Sequence, residues 1–185
     1  MNIFRMKGIS VAIFALAAVF WASAVARGQG GEQRRPELPA GCEGLEPDSN
    51  ERVAFKVYAE GFQVYSWSGS AWVLVGPDAA LYANPNYRGK VGSHFGGPTW
   101  ESNSGSYVKG ANPVRCTPDP DSIQWLKLEA SETGGSGIFA GVTHIQRVNT
   151  SGGKAPSEAG IFIGEEARIP YTTEYYFYKL QGPEL

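Results

Sequence analysis

Val53-Ala54-Phe55-Lys56-Val57-Tyr58-Ala59-Glu60 is the stretch that decides the fold class. Val53, Phe55, Val57 and Ala59 fall on one side of an alternation. Ala54, Lys56, Tyr58 and Glu60 fall on the other. Successive side chains of a strand point to opposite faces, so a period of two in β-branched and aromatic residues is the signature of a strand. Two later runs repeat it. Leu126, Leu128 and Ala130 alternate with Trp125, Lys127 and Glu129. Thr172, Glu174, Tyr176 and Tyr178 alternate with Tyr171, Thr173, Tyr175 and Phe177.

Turn signals separate these runs: Ser68-Gly69-Ser70, Gly76-Pro77-Asp78, Asn84-Pro85-Asn86, Gly96-Gly97-Pro98 and Ser104-Gly105, then Pro118 to Asp121, Gly134-Gly135 and Gly152-Gly153. Each supplies a fixed or positive φ, or a local side-chain cap. With 24 glycines and 12 prolines in 185 residues, long helices are excluded, and a short turn near Asp78–Tyr82 is the one helical candidate. The pattern predicts an all-β fold: a single antiparallel β-sandwich or barrel-like domain with many short strands and Gly/Pro turns.

Composition narrows the class further. Glycine does not recur at every third position, which excludes a collagen-like chain. Aromatics make up 12% and the net charge is only −2, which excludes a disordered chain. Two cysteines are too few for a disulfide-dense miniprotein. A pI near 5.7 argues against a nucleic-acid partner.

The N-terminus reads as a targeting segment. Arg5 and Lys7 precede an apolar run from Ile9 to Trp21, broken only by Ser10 and followed by the small residues Ala22, Ala24 and Ala26. This is the pattern of a secretory signal peptide over residues 1–26, and the run is short for a membrane span. A lipidation site at Cys42 is disfavoured, because Pro39 stands where an aliphatic residue is needed. No later stretch is long and apolar enough to be a transmembrane segment of the mature chain. The expected organisation is signal peptide 1–26, flexible leader 27–50 and one β-rich domain 51–185. The expected location is outside the cytoplasm: secreted, or periplasmic if the source is Gram-negative. Cleavage after Ala26 leaves 14 basic and 18 acidic residues, a net charge of −4.

Cys42 and Cys116 both survive cleavage, and in an exported protein they most simply form one disulfide. Two free thiols or a metal pair are the alternatives. With no other Cys or His clustered nearby, no metal site is expected. No cofactor is expected either. Gly135-Ser136-Gly137-Ile138-Phe139-Ala140 matches the dinucleotide pattern by letter, but Gly141 to Val148 reads as strand where a helix is required. Ser151-Gly152-Gly153-Lys154 lacks the outer residues of a phosphate loop.

Two segments stand out as candidate sites. In the first, His94 and Glu101 flank Gly96-Gly97-Pro98 beside Trp100. His94 could serve as a general acid/base oriented by Glu101, with Trp100 as an aromatic platform. A locally packed structural turn is the simpler reading. In the second, His144, Arg147, Asn149 and Lys154 lie along a strand that runs into a Gly/Ser loop. Their side chains suit an anion or a sugar hydroxyl, although a solvated loop would also explain them. The Tyr171–Tyr178 aromatics suit either a stacking surface or a strand with one face in the core and one partly covered.

Taken together, three groups of segments carry a resemblance. The first is Ala54 to Tyr65, with Trp72 and Gly76 to Leu81. The second is His94 to Glu101 with Gly105-Ser106. The third is Ile123 to Leu126, Ile145 to Pro156 and Pro170 to Tyr178. In this order they resemble the uncharacterised secreted family catalogued as domain of unknown function 3455. The resemblance covers nearly all of the mature chain and implies membership without an activity. It also implies a cysteine soon after the Gln-x-Tyr block and another after the Ala-Pro loop. Trp67 and Ile161 stand in those neighbourhoods here, so Cys42–Cys116 would be a different bridge.

The leading expectation is a noncatalytic exported binding or surface-associated module for an unknown small molecule or glycan. A hydrolase-like enzyme using the His94/Glu101 acid/base pair is one alternative. A structural envelope component is the other.

Overall fold

The structure, a computed structural model, describes residues 34–182. The expected signal peptide over residues 1–26 lies outside the described residues. Eight strands follow one another in chain order: β1 (Glu51–Trp67), β2 (Trp72–Tyr82), β3 (Lys90–Phe95), β4 (Thr99–Ser102), β5 (Tyr107–Cys116), β6 (Trp125–Gly134), β7 (His144–Gly152) and β8 (Glu166–Leu180). Every neighbouring pair is antiparallel, and β8 returns to pair with β1. The sheet is therefore a closed eight-stranded meander, and of the two expected architectures the chain takes the barrel.

Not all strands are short. β1 has 17 residues and β8 has 15, because each spans the barrel from end to end. Two sequence expectations need correction here. Gly76-Pro77-Asp78 is no turn, and Asp78–Tyr82 is not helical; both lie within β2. The register between β1 and β2 slips at Val64/Tyr65, opposite Gly76. Val75 is the extra residue of this bulge, and Gly76 and Pro77 continue the strand beside it, paired with Val64 and Gln63.

A second bulge sorts the two cores. Val53 pairs with Tyr178 and Phe55 with Phe177, so Ala54 is the extra residue. It reverses the face on which the alternation points. Phe55 enters the barrel with Val57, Ala59, Ile145 and Phe177. Val53 instead joins Cys42, Leu45, Trp125, Tyr176 and Tyr178 in an outer cluster.

The outer cluster lies beneath residues 34–50, the described part of the expected leader. A 3-10 turn, Glu43–Leu45, plants Leu45 at full burial. Gln146 Nε2 donates to the Leu45 carbonyl at 2.6 Å, and Arg35 Nη2 to the Glu51 carbonyl at 2.5 Å. Cys42 is joined to Cys116 at the end of β5, across 74 residues of sequence. The expected disulfide is present.

One end of the barrel is closed by the β6–β7 loop. Phe139 drops from that loop against Phe55 (ring centroids 5.5 Å apart) and Phe177 (5.0 Å). Its backbone N–H is fixed by Ser106 Oγ at 3.1 Å. This is the role of the dinucleotide-like glycines: they shape a plug, and β7 follows them. No helix among the described residues is long and apolar enough to cross a membrane.

Candidate functional site

The opposite end carries the β1–β2, β3–β4, β5–β6 and β7–β8 connections. Between them opens a cavity of about 720 Å³ that runs down into the barrel. Eight-stranded barrels have interiors that either fill with side chains or hold one small ligand. This barrel is filled by side chains in one half and leaves a cavity in the other.

The floor is aromatic. His94 and Trp100 face each other across the β3–β4 hairpin. Their rings stack at 4.2 Å between centroids and 8° between planes. Tyr175 of β8 meets both edge-on, at 5.1 Å and 5.2 Å. His94 Nδ1 lies 2.8 Å from the Thr99 carbonyl. A carbonyl can only accept, so Nδ1 carries the proton and Nε2 keeps its lone pair. Burial pushes the His94 pKa down to about 3, aided by the nearby Arg147 charge and opposed by the Thr99 bond. His94 is thus a neutral imidazole at physiological pH.

Arg147 projects from β7 opposite Tyr175. Nε and Nη2 both donate to the Gln124 carbonyl, at 3.1 and 2.8 Å. Two of five guanidinium N–H groups are used there, which leaves three for other acceptors. Lys154 is anchored at the mouth by its bond to the Pro120 carbonyl, near Asp119. Arg115 also lines the cavity. Three cations and no carboxylate line it, in a chain whose net charge is negative.

Four side-chain polar atoms in this half of the molecule are buried with no hydrogen-bond partner: Gln63 Nε2, Trp100 Nε1, Tyr171 OH and Tyr175 OH. A buried polar group left unpaired costs about 1–3 kcal/mol. Gln63, Trp100 and Tyr175 line the cavity. The Tyr175 phenol has Arg147, Trp100 and Tyr171 around it, and burial raises its pKa, so it stays protonated. Tyr65 OH, by contrast, is satisfied by the Gly153 carbonyl at 2.7 Å. That approach needs glycine: Gly153 has φ +80°, and a Cβ there would meet Tyr171 Cβ at 2.9 Å.

Four of the seven expected binding residues, His94, Trp100, Arg147 and Lys154, therefore gather around one cavity. The other three do not. Glu101 pairs with Ser93 and Tyr107 and, next to the inward Trp100, points to the opposite face. The His94/Glu101 acid/base pair is not assembled, because strand alternation separates adjacent residues. His144 lies towards the other end of β7, where Nδ1 sits 2.8 Å from Glu51 Oε1. Asn149 occupies a bulge between Val148 and Ser151 at φ +52° with an exposed side chain. Among the described residues, no three His, Cys, Asp or Glu side chains form a group able to hold a metal ion.

Sequence reasoning missed Gln63 and underrated Tyr175. Both were legible in principle. Gln63 shares the inward parity of Val57 and Ala59, and Tyr175 that of Phe177. The aromatic cluster divides as its second reading expected: Tyr175 and Phe177 face inward, and Tyr176 and Tyr178 lie under residues 34–50.

Aliphatic residues crowd the rim. Val73, Leu74 and Val75 are exposed, as are Ile161, Phe162 and Ile163 in the β7–β8 loop. Gly69 of the β1–β2 turn lies against Ile163. The neighbourhoods of Trp67 and Ile161 do meet, since Trp67 packs on Gly160.

A family model described as Protein of unknown function (DUF3455) matches residues 47–179. No curated protein and no solved structure matches.

Proposed function

We propose, from the premise that the chain belongs to the DUF3455 family of proteins of unknown function, that it is an exported, noncatalytic barrel that holds a small molecule in the cavity at its open end. The family brings no activity with it, so the reading rests on the site. One observation carries it. The cavity is of ligand size and is lined by Gln63, Trp100 and Tyr175, whose polar atoms are buried without partners. A folded chain leaves few such groups unpaired, and those it does leave call for an explanation such as a ligand or water. Export is supported by the charged, apolar and small-residue pattern of residues 1–26 and by the Cys42–Cys116 bridge. The acid/base alternative lacks its pair.

The test is a panel of alkyl carboxylates, alcohols, amines and simple sugars. Each compound is followed by thermal shift and by intrinsic tryptophan fluorescence. At least one compound is expected to bind saturably and raise the unfolding midpoint. Leu126→Trp, which adds bulk at a cavity-lining position paired with Arg147, should weaken that binding at least tenfold. If no compound binds at millimolar concentration, or if binding ignores Leu126→Trp and Trp100→Phe alike, the cavity is not the site.

A further inference from the structure

We infer that the cavity selects an organic monoanion: a carboxylate head held by Arg147, the Tyr175 hydroxyl and the Trp100 indole N–H, with an apolar body lying toward the rim. This rests on the reading of the cavity as a ligand site and adds the chemical class.

Three independent features converge on it. The first is charge. Arg115, Arg147 and Lys154 line the cavity, and no Asp or Glu does. Lys154 is already tied to the Pro120 carbonyl near Asp119, and Arg115 is exposed. Arg147 is the cation that faces the interior with N–H groups to spare.

The second feature is the polarity of the unpartnered groups. The indole N–H of Trp100 and the amide NH₂ of Gln63 can only donate, and the Tyr175 hydroxyl can donate. A ligand that completes this set must bring acceptors. A carboxylate offers two oxygens in one plane, which a guanidinium grips with parallel bonds. An amine would leave the donors unpaired and place a second positive charge beside Arg147. A doubly charged phosphate would find one inward guanidinium and, in His94, a neutral ring whose free nitrogen only accepts.

The third feature is the wall. Leu126 and Leu128 line the cavity level with Arg147 and Trp100, and Pro98, Pro113, Leu74 and Val75 complete the apolar lining. The last two are largely exposed. An apolar tail would cover them and remain in contact with aliphatic surface along its length.

Isothermal titration with decanoate, decanol and decylamine tests the assignment on the full mature chain. Wild type should bind decanoate at least tenfold more tightly than decanol, and decylamine least of all. Arg147→Gln should lose that tenfold preference and leave decanol binding unchanged. Arg147 also supports the β5–β6 loop through Gln124, so Tyr175→Phe gives a second reading. It should weaken decanoate severalfold while the ligand-free unfolding midpoint stays level or rises, because an unpaired buried hydroxyl has been removed. Decanol binding as tightly as decanoate, or an unchanged preference in both variants, overturns the anionic assignment. If none of the three binds while a sugar or another compound of the wider panel does, the class is wrong and the ligand site stands. If nothing in the wider panel binds, both fall.

Discussion

The two halves of the barrel are built from the same strands and the same alternation, yet they are chemically opposite. At the closed end, Phe55, Phe139 and Phe177 interlock with ring centroids 4.7 to 5.5 Å apart. At the open end the inward positions of those strands are Gln63, Tyr65, Tyr171, Tyr175 and Arg147. Three of these carry polar atoms buried without partners. A core tuned only for stability would continue the hydrocarbon packing upward. The difference separates a half packed by hydrocarbon from a half with unpaired polar groups, and it falls along single strands: Phe177 and Tyr175 are two residues apart.

The sharpest way to break this comparison is to damage each half and compare the costs. Phe177→Ala should lose about 4 kcal/mol in urea unfolding, as truncated buried aromatics do. A loss below about 1 kcal/mol would mean that the closed end is not the core. Opening the bridge by Cys42→Ala with Cys116→Ala should cost up to about 4 kcal/mol by the loop-closure model. Because the bridge fastens residues 34–50 to the outer wall, hydrogen exchange should rise around Leu45 and stay slow at Ile145.

Acid should single out the open end. His94 is neutral when folded, and its pKa is pushed down to about 3. The unfolded chain protonates it near 6.5. Between those values the unfolded state binds more protons. His94 therefore contributes stability that is full above pH 6.5 and is lost as pH falls toward 3, at up to about 1.4 kcal/mol per unit. His94→Gln should remove this part of the slope, read as the difference between two pH-stability profiles. Equal slopes would sink the claim. The smallest effect belongs to Tyr175→Phe. Ligand-free stability should change by less than about 1 kcal/mol and should not fall, in contrast to Phe177→Ala two residues away.

Much of this architecture was legible in the residues. The alternation of Val53–Glu60 and Thr172–Tyr178 is local, and local patterns survive in a sequence read alone. Closure into a barrel was not legible, since the pairing of Glu51 with Leu180 joins residues that no window contains. The bulges at Ala54 and Val75 and the continuation of β2 through Gly76-Pro77 depend on what the neighbouring strand offers, so punctuation read as a turn fell within a strand. The site was half legible. His94, Trp100, Arg147 and Lys154 drew attention by residue type and glycine-rich surroundings. Glu101 drew it falsely, because adjacency in sequence is opposition in a strand. Gln63 drew none, because a glutamine becomes informative only once its burial is known.

The β1–β8 seam has a consequence for the order of events when the chain folds. Its register runs from Glu51–Leu180 to Ser66–Glu166, so one edge of the first strand stays bare until the last strand arrives. A chain released from its N-terminus can pair Tyr58–Trp67 with β2 early, but must hold the opposite edge of β1 unpaired until β8 has emerged. Contacts of such long range make folding slow and leave the waiting edge open to mispairing. Loss of the last dozen residues would remove the partners of Glu51–Tyr58 and open the ring along that stretch, while Ala59–Ser66 would keep theirs in Glu166–Thr173.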